Sequence, residues 1–243
     1  MARRNAQPRW YFSLRSPYSW FCYRELLETE PAVLHAAEWI PVWEPDPLSE
    51  RMLAERGIEL PVVPMSRAKN FYILQDTRRL AKERGLPMIW PVDRAPVWEV
   101  AHLAYLAATD EGMGRPFLDR VCAARWERGE DISDPAVIGA IAAGLGLDPA
   151  RCAGAAGDER LRERGIDVLA RVADDGVFGV PMFVLGREKF WGTDRLGRFL
   201  DAWRARTATT PATTTAESGS DERREFAELA RAVSDGGHAG GCG

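Results

Sequence analysis

The octapeptide Ser13-Leu14-Arg15-Ser16-Pro17-Tyr18-Ser19-Trp20 is the junction from which the rest of this 243-residue chain can be read. It overlaps the end of a segment, residues 9–14, whose Trp10-Tyr11-Phe12 core carries the aromatic side chains that strands favour. It leads into Phe21-Cys22-Tyr23-Arg24-Glu25-Leu26-Leu27-Glu28, which reads as a helix. Pro17 falls in that helix's first turn, where the N–H that proline lacks would have had no intrahelical partner. Ser16 is therefore expected at the N-cap. Free amides and the positive end of the helix dipole make such a position favourable for negative charge. Two readings of Ser16 stand side by side: a plain helix cap, and a hydroxyl aimed at an anion.

Outward from the junction, the helix is expected to end near Glu30, before Pro31. Leu34 to Trp43 reads as a second strand bounded by Pro41 and Pro45, which completes a βαβ unit with parallel strands. Helices are expected over Leu48–Gly57, over a Ser66-capped stretch to Arg84 that Gly85 closes, and over Val97–Glu111, Arg115–Arg128, Asp134–Leu145 and Asp158–Ala173. Gly144-Leu145-Gly146 reads as a helix C-cap, because no strand precedes it to make a dinucleotide-binding turn. Residues 177–192 read as a hairpin turning at Gly186-Arg187, and Thr193 is expected to cap a last helix from Asp194 to about Ala205. Thr207 to Ala216 is a low-complexity linker, Glu222–Val233 has the pattern of a short helix, and the Gly-rich end reads as disordered. The order βαβ, helices, ββα is that of an α/β, thioredoxin-like fold interrupted by a large all-helical insertion. The corresponding segments are 9–46 and 166–206 for the thioredoxin-like part, 47–165 for the insertion, and 207–243 for the tail.

The balance of 32 basic against 36 acidic residues, a net charge of −4, gives no electrostatic case for nucleic acid or membrane partners. No apolar run approaches the roughly 18 residues of a membrane span, and the basic N-terminus has no apolar segment behind it, so a cytoplasmic protein is expected. Cys22, Cys122, Cys152 and Cys242 form no C-x-x-C pair, and His35, His102 and His238 are scattered, so no metal site is expected.

Gly179-Val180-Pro181 places a proline where a strand begins, and a cis Val180–Pro181 bond is expected. Ser16-Pro17-Tyr18-Ser19-Trp20, the run Gly176 to Val184, and Phe190-Trp191-Gly192-Thr193-Asp194-Arg195-Leu196 occur in order. With looser likeness at Arg67-Ala68-Lys69 through Tyr72, Asp76 and Gly85-Leu86-Pro87, residues 9–206 resemble the 2-hydroxychromene-2-carboxylate isomerases and kappa-class glutathione transferases. These belong to the DsbA-like thioredoxin superfamily. The resemblance implies glutathione or another low-molecular-weight thiol as cofactor, with Ser16 as the catalytic hydroxyl that activates it. It implies that Val180, beside Pro181, pairs with the cofactor's peptide, that Thr193 and Asp194 hold its γ-glutamyl end, and that the protein is a homodimer. Lys69 reads equally as a cofactor contact or a solvated helix residue.

The redox members of that superfamily carry cysteines where this chain has Ser16 and Ser19, and disulfide exchange needs an attacking thiolate and a resolving thiol. A bound thiol is a different matter. Lowering its pKa from about 8.5 by roughly 2 units takes about 3 kcal/mol. A helix N-terminus supplies about 0.3–2 kcal/mol, and a hydroxyl bonded to a charged acceptor about 1.5–3 kcal/mol. Together these suffice. The chain departs from the family at Trp43-Glu44-Pro45-Asp46-Pro47, usually Gly-rich, and at Pro96-Val97-Trp98-Glu99, often carrying Asn, so the substrate-facing surface is altered. Tyr18, Glu44, Trp98, Glu99 and His102 are candidate pocket residues, with surface charge or core packing as the alternative for each. The expected activity is thiol-dependent isomerisation of an activated C=C bond in a small molecule, with a conjugated polyene or cinnamoyl-type natural-product intermediate, free or carrier-protein-bound, as substrate. A conjugating transferase, a cofactor-independent acid–base isomerase and a non-catalytic binding protein are the alternatives.

Overall fold

The computed structural model describes residues 7–61 and 66–208. Strand β1 (Arg9–Phe12) passes through the Ser13–Ser16 loop into α1 (Pro17–Thr29), α2 (Pro31–Ala36) and β2 (Glu38–Pro41). The helical section follows: α3 (Pro47–Glu55), α4 (Arg67–Glu83), α5 (Glu99–Asp110), α6 (Gly114–Cys122), α7 (Pro135–Gly144), α8 (Pro149–Ala153) and α9 (Glu159–Asp174). β3 (Met182–Leu185), β4 (Glu188–Trp191) and α10 (Leu196–Ala208) close the order. This is a thioredoxin-like fold with a helical insertion. The starts of α1, α3, α7 and α8 share one device: a serine or aspartate side chain accepts a first-turn N–H, and proline follows it.

The sheet runs β2-β1-β3-β4. β1 pairs parallel with β2, Tyr11 against Ile40, and antiparallel with β3, Tyr11 against Met182. β3 returns as β4 through a turn at Gly186, whose φ of +65° is the left-handed conformation that glycine adopts without strain. Successive β1 side chains enter opposite layers, as strand geometry requires. Trp10 and Phe12 join the large core with α1 and α5, and Tyr11 joins a smaller one with Ile40, Val42, Val172, Val177, Met182 and Val184. α5 is buried from Glu99 through Ala108, apolar nearly all round, and is the helix about which the insertion packs.

Several boundaries differ from expectation for physical reasons. Pro31 does not merely stop α1; its fixed φ also suits a first helical position, so it opens α2 and the second strand shortens to Glu38–Pro41. The expected helix Arg115–Arg128 widens into a π-helical turn at Ala123–Glu127. Residues 149–157, read as punctuation, hold α8 and a 3-10 turn. The hairpin's first strand begins at Met182 rather than Val177. Thr193 is not a helix cap: it opens a 3-10 turn, Thr193–Arg195, behind Gly192 at φ +95°, and its hydroxyl accepts no cap bond. Thr207 and Ala208, placed in the linker, continue α10. The expected tail helix Glu222–Val233, the Gly-rich end and Cys242 lie outside the described residues.

Where α9 crosses α5, Gly165 has no room for a side chain. A Cβ there would stand 2.7 Å from Leu103 Cδ2 and 3.2 Å from Trp43 Cζ2, both on buried residues. Gly165→Ala should therefore lower stability by about 1–3 kcal/mol, against the roughly 1 kcal/mol that alanine gains in an open helix. A urea unfolding midpoint decides the sign.

Candidate functional site

The register gathers one end of the sheet. Tyr11 opposes Met182 at the end of the β1–β3 pairing, so Pro181 and Val180, which precede Met182, run on at the end of the sheet from which the Ser13–Ser16 loop departs. Met182 opposes Trp191, and the Gly192 N–H donates to the Pro181 carbonyl at 2.9 Å, bringing the Thr193–Arg195 turn to the same edge. That turn packs on α1. The Val180–Pro181 bond is cis. Neither the N–H nor the C=O of Val180 is paired among the described residues.

The loop ahead of α1 is tied at successive amides. The Ser13 N–H donates to Ser19 Oγ at 3.2 Å, the Leu14 N–H to His102 Nε2 at 3.2 Å, and the Ser16 N–H to the Ser13 carbonyl at 3.0 Å. Ser16 is the N-cap of α1, its Oγ accepting the Ser19 N–H at 3.2 Å. Acceptance uses a lone pair and leaves the hydroxyl proton to be donated. The next free amide of the helix, Tyr18 N–H, has no acceptor among the described residues. Ser16 is half-buried.

The other candidates divide. Tyr18 turns from the loop towards α4, its hydroxyl donating to Asp76 at 2.8 Å, and burial with this carboxylate partner raises its pKa. Lys69 is exposed on α4, seven residues before Asp76 and so on the same helix face. Asp194 is exposed and paired with Arg195 at 2.7 Å. Glu44 is exposed and pairs with Arg15 at 2.5 Å. Trp98, 6 % exposed, is covered by two guanidinium groups, Arg15 at 4.9 Å and Arg125 at 5.0 Å from its ring centre.

Glu99 and His102 do not line an open pocket; both are fully buried. Glu99 Oε1 accepts the Trp43 indole N–H at 3.2 Å and the Asp46 N–H at 2.8 Å, while its Oε2 is buried without a partner among the described residues. His102 Nδ1 donates to the Trp98 carbonyl at 2.7 Å, which leaves Nε2 as the acceptor for Leu14 and for the Ser13 hydroxyl at 3.2 Å. Burial pushes its pKa down to about 3. The imidazole is a fixed neutral acceptor, unsuited to shuttle protons at neutral pH. Asp46 caps α3 and binds Arg162 through both oxygens at 2.9 Å; although burial opposes ionisation, these bonds hold its carboxyl below the usual range.

Sequence reasoning missed Ser19 and Arg15. Ser19 was noted only for not being cysteine; its acceptance of the Ser13 amide has no local signature beyond the Ser16-x-x-Ser19 spacing. Arg15 carries no signal in the sequence beyond its place before Ser16, because its partners Glu44 and Trp98 are distant along the chain. Cys22 is in the core, where burial pushes its thiol up and away from reactivity.

Strand register, cis proline and capped serine define a thioredoxin-type site without a redox cysteine pair. The DsbA-like thioredoxin domain matches residues 9–204, and the chain belongs to that family. Among solved structures, a 2-hydroxychromene-2-carboxylate isomerase is similar at 21% identity and a TM-score of 0.64, over 91% of this chain and 98% of that one. The cytosolic disulfide reductase DsbM of Pseudomonas aeruginosa, solved with GSH, is similar at 21% identity and a TM-score of 0.56, over 83% and 97%. At these identities the likeness is one of fold. No curated protein matches the chain's sequence. No helix among the described residues is long and apolar enough to cross a membrane.

A histidine buried neutral ties stability to pH. The unfolded chain protonates His102 near 6.5 and the folded chain only near 3, so stability is complete above about 6.5 and falls as pH drops towards 3. Between pH 6.5 and 4.5 the loss should reach about 1.4 kcal/mol per pH unit from this group. His102→Gln should be less stable at neutral pH and should lack that part of the slope. Urea midpoints at pH 7 and pH 5 measure both.

Proposed function

We propose that this chain is an isomerase that uses a low-molecular-weight thiol, glutathione or a functional relative, to change the geometry of an activated C=C bond. The observation that carries the reading is the pairing of two features at one sheet edge. The Ser16 hydroxyl keeps its proton available because Ser19 occupies its oxygen's acceptor role, and the Val180 amide and carbonyl, unpaired among the described residues, belong to the same end of the sheet. An extended peptide-like ligand laid along Val180 would gain two strand-type hydrogen bonds there.

When bound, such a thiol supplies reversible conjugate addition to an electron-poor double bond, permitting rotation before elimination. The chain's residues do the rest. Ser16 O–H donates to the sulfur position, and the Tyr18 N–H with the α1 dipole adds positive potential, so the charged form is favoured over the neutral one. The Val180 backbone would align the ligand's peptide, and Asp194, exposed on the 3-10 turn that packs on α1, suits a γ-glutamyl ammonium. Lys69, on the α4 face that Tyr18 meets through Asp76, suits a ligand carboxylate.

The absence of cysteine at residues 16 and 19 supports isomerisation over dithiol redox chemistry. The substrate class in this reading is a conjugated enoyl or cinnamoyl compound, free or on a carrier, handled in the cytoplasm.

Incubation with cis and trans enones, with and without glutathione, tests it. Thiol-dependent conversion between isomers without net consumption of thiol is expected. Ser16→Ala should slow it about 10- to 150-fold, the loss of one hydrogen bond to a charged group. Full activity in Ser16→Ala without any thiol would sink the proposal, and stoichiometric conjugate would make the protein a transferase.

A further inference from the structure

Arg15, the residue before Ser16, is the one cation of this loop, and its surroundings are built rather than incidental. Its guanidinium carbon stands 4.9 Å from the Trp98 ring centre, within the range of a cation–π contact. Its charge adds to burial in opposing protonation of His102.

Arg125 covers the same indole at 5.0 Å but differs in its bonding. It is 2% exposed, and Asp93 takes two of its nitrogens in parallel at 2.9 and 2.8 Å. Both of its Nη atoms are taken, and its Nε is shut in the core without a partner among the described residues. Arg15 has one carboxylate contact, from Nη1 to Glu44 Oε2 at 2.5 Å, and its Nε and Nη2 have no acceptor among the described residues. The Glu44 side chain is 68% exposed and sits on the stiff Pro-flanked segment after β2. An exposed pair of this kind is weak and readily exchanged for a ligand that satisfies more of the fork.

We propose that Arg15, held by Trp98, is a carboxylate-binding subsite for the substrate, and that Glu44 occupies it until an acidic substrate displaces it. A carboxylate is already the group in contact there, which sets the ligand chemistry. The subsite lies where Trp43–Pro47 and Pro96–Glu99 depart from the family pattern, so this surface selects an acid of its own. The inference rests on the proposed site for its location but not on any thiol.

Calorimetric titration of the full chain without thiol tests it, with trans-cinnamate as the probe, cinnamamide as the neutral isostere and phenyl phosphate as the competing anion. Cinnamate should bind at least about tenfold more tightly than cinnamamide, the difference one charge-assisted fork contact makes. Glu44→Gln should tighten cinnamate a few-fold, and Arg15→Gln should weaken it about tenfold or more. Equal binding of cinnamate and cinnamamide, preference for phenyl phosphate, or no tightening in Glu44→Gln would each overturn the subsite. Glu44 is exposed, so that variant decides even if Arg15→Gln fails to fold. Thiol-dependent turnover that fails alongside Arg15-dependent cinnamate binding overturns the isomerase reading alone.

Discussion

Where β1 ends, the chain must leave the sheet inside the core, and its next amides have no neighbouring strand to bond. Each buried amide left unpaired would cost about 1–3 kcal/mol. His102 Nε2 and Ser19 Oγ take the Leu14 and Ser13 amides, and the loop is thereby fixed before the helix begins. The imidazole can do so only as the tautomer with its proton on Nδ1, which the Trp98 carbonyl enforces. Protonation would set a donor against a donor. The position of Ser16 thus depends on a histidine that is itself fully buried.

The same helix secures the opposite wall. Glu99, one turn from His102 on α5, bonds the Trp43 indole and the Asp46 amide, while Trp43 stacks on His102 with ring centres 5.3 Å apart. α5 is therefore a post to which both the Ser13–Ser16 loop and the segment after β2 are tied. The helical insertion sets the site's geometry rather than hanging beside it. Burying a carboxylate with one oxygen unpartnered is a cost that two hydrogen bonds and the α5 N-terminus offset.

What the sequence made legible was local or repetitive. Ser16 before Pro17, Ser66 before a periodic apolar face, and Gly186 in a tight turn each act over a few residues, and the order of elements then specified the fold. Pro31 misled because the same ring that ends one helix also begins another. Thr193 misled because threonine before an acidic residue resembles a cap, yet Gly192 at positive φ turned the chain into a 3-10 start instead. The roles of His102 and Arg15 were out of reach for a different reason. His102 meets Leu14 and Ser13 across 88 and 89 positions of sequence, and no periodicity carries such a contact. For His102 and Glu99 the sequence left pocket chemistry and packing side by side, and both are buried, since a titratable side chain looks the same in sequence whether it faces solvent or core.

Serine in place of cysteine changes what the capped helix can do without changing its shape. A thiolate at residue 16 would satisfy the helix dipole itself. A hydroxyl, near-neutral at any physiological pH, leaves that potential uncompensated and offers a proton outward. Ser19 then has a task incompatible with a resolving thiol, since its oxygen accepts the Ser13 amide and sulfur accepts hydrogen bonds poorly. Cys22, one turn deeper, cannot substitute, because its buried thiol stays protonated. The positive potential at α1 and the partly satisfied fork of Arg15 therefore both look outward for negative charge. On the proposed reading, with Glu44 supplying only part of it, the junction receives two anionic groups from outside the chain, one facing Ser16 and one facing Arg15.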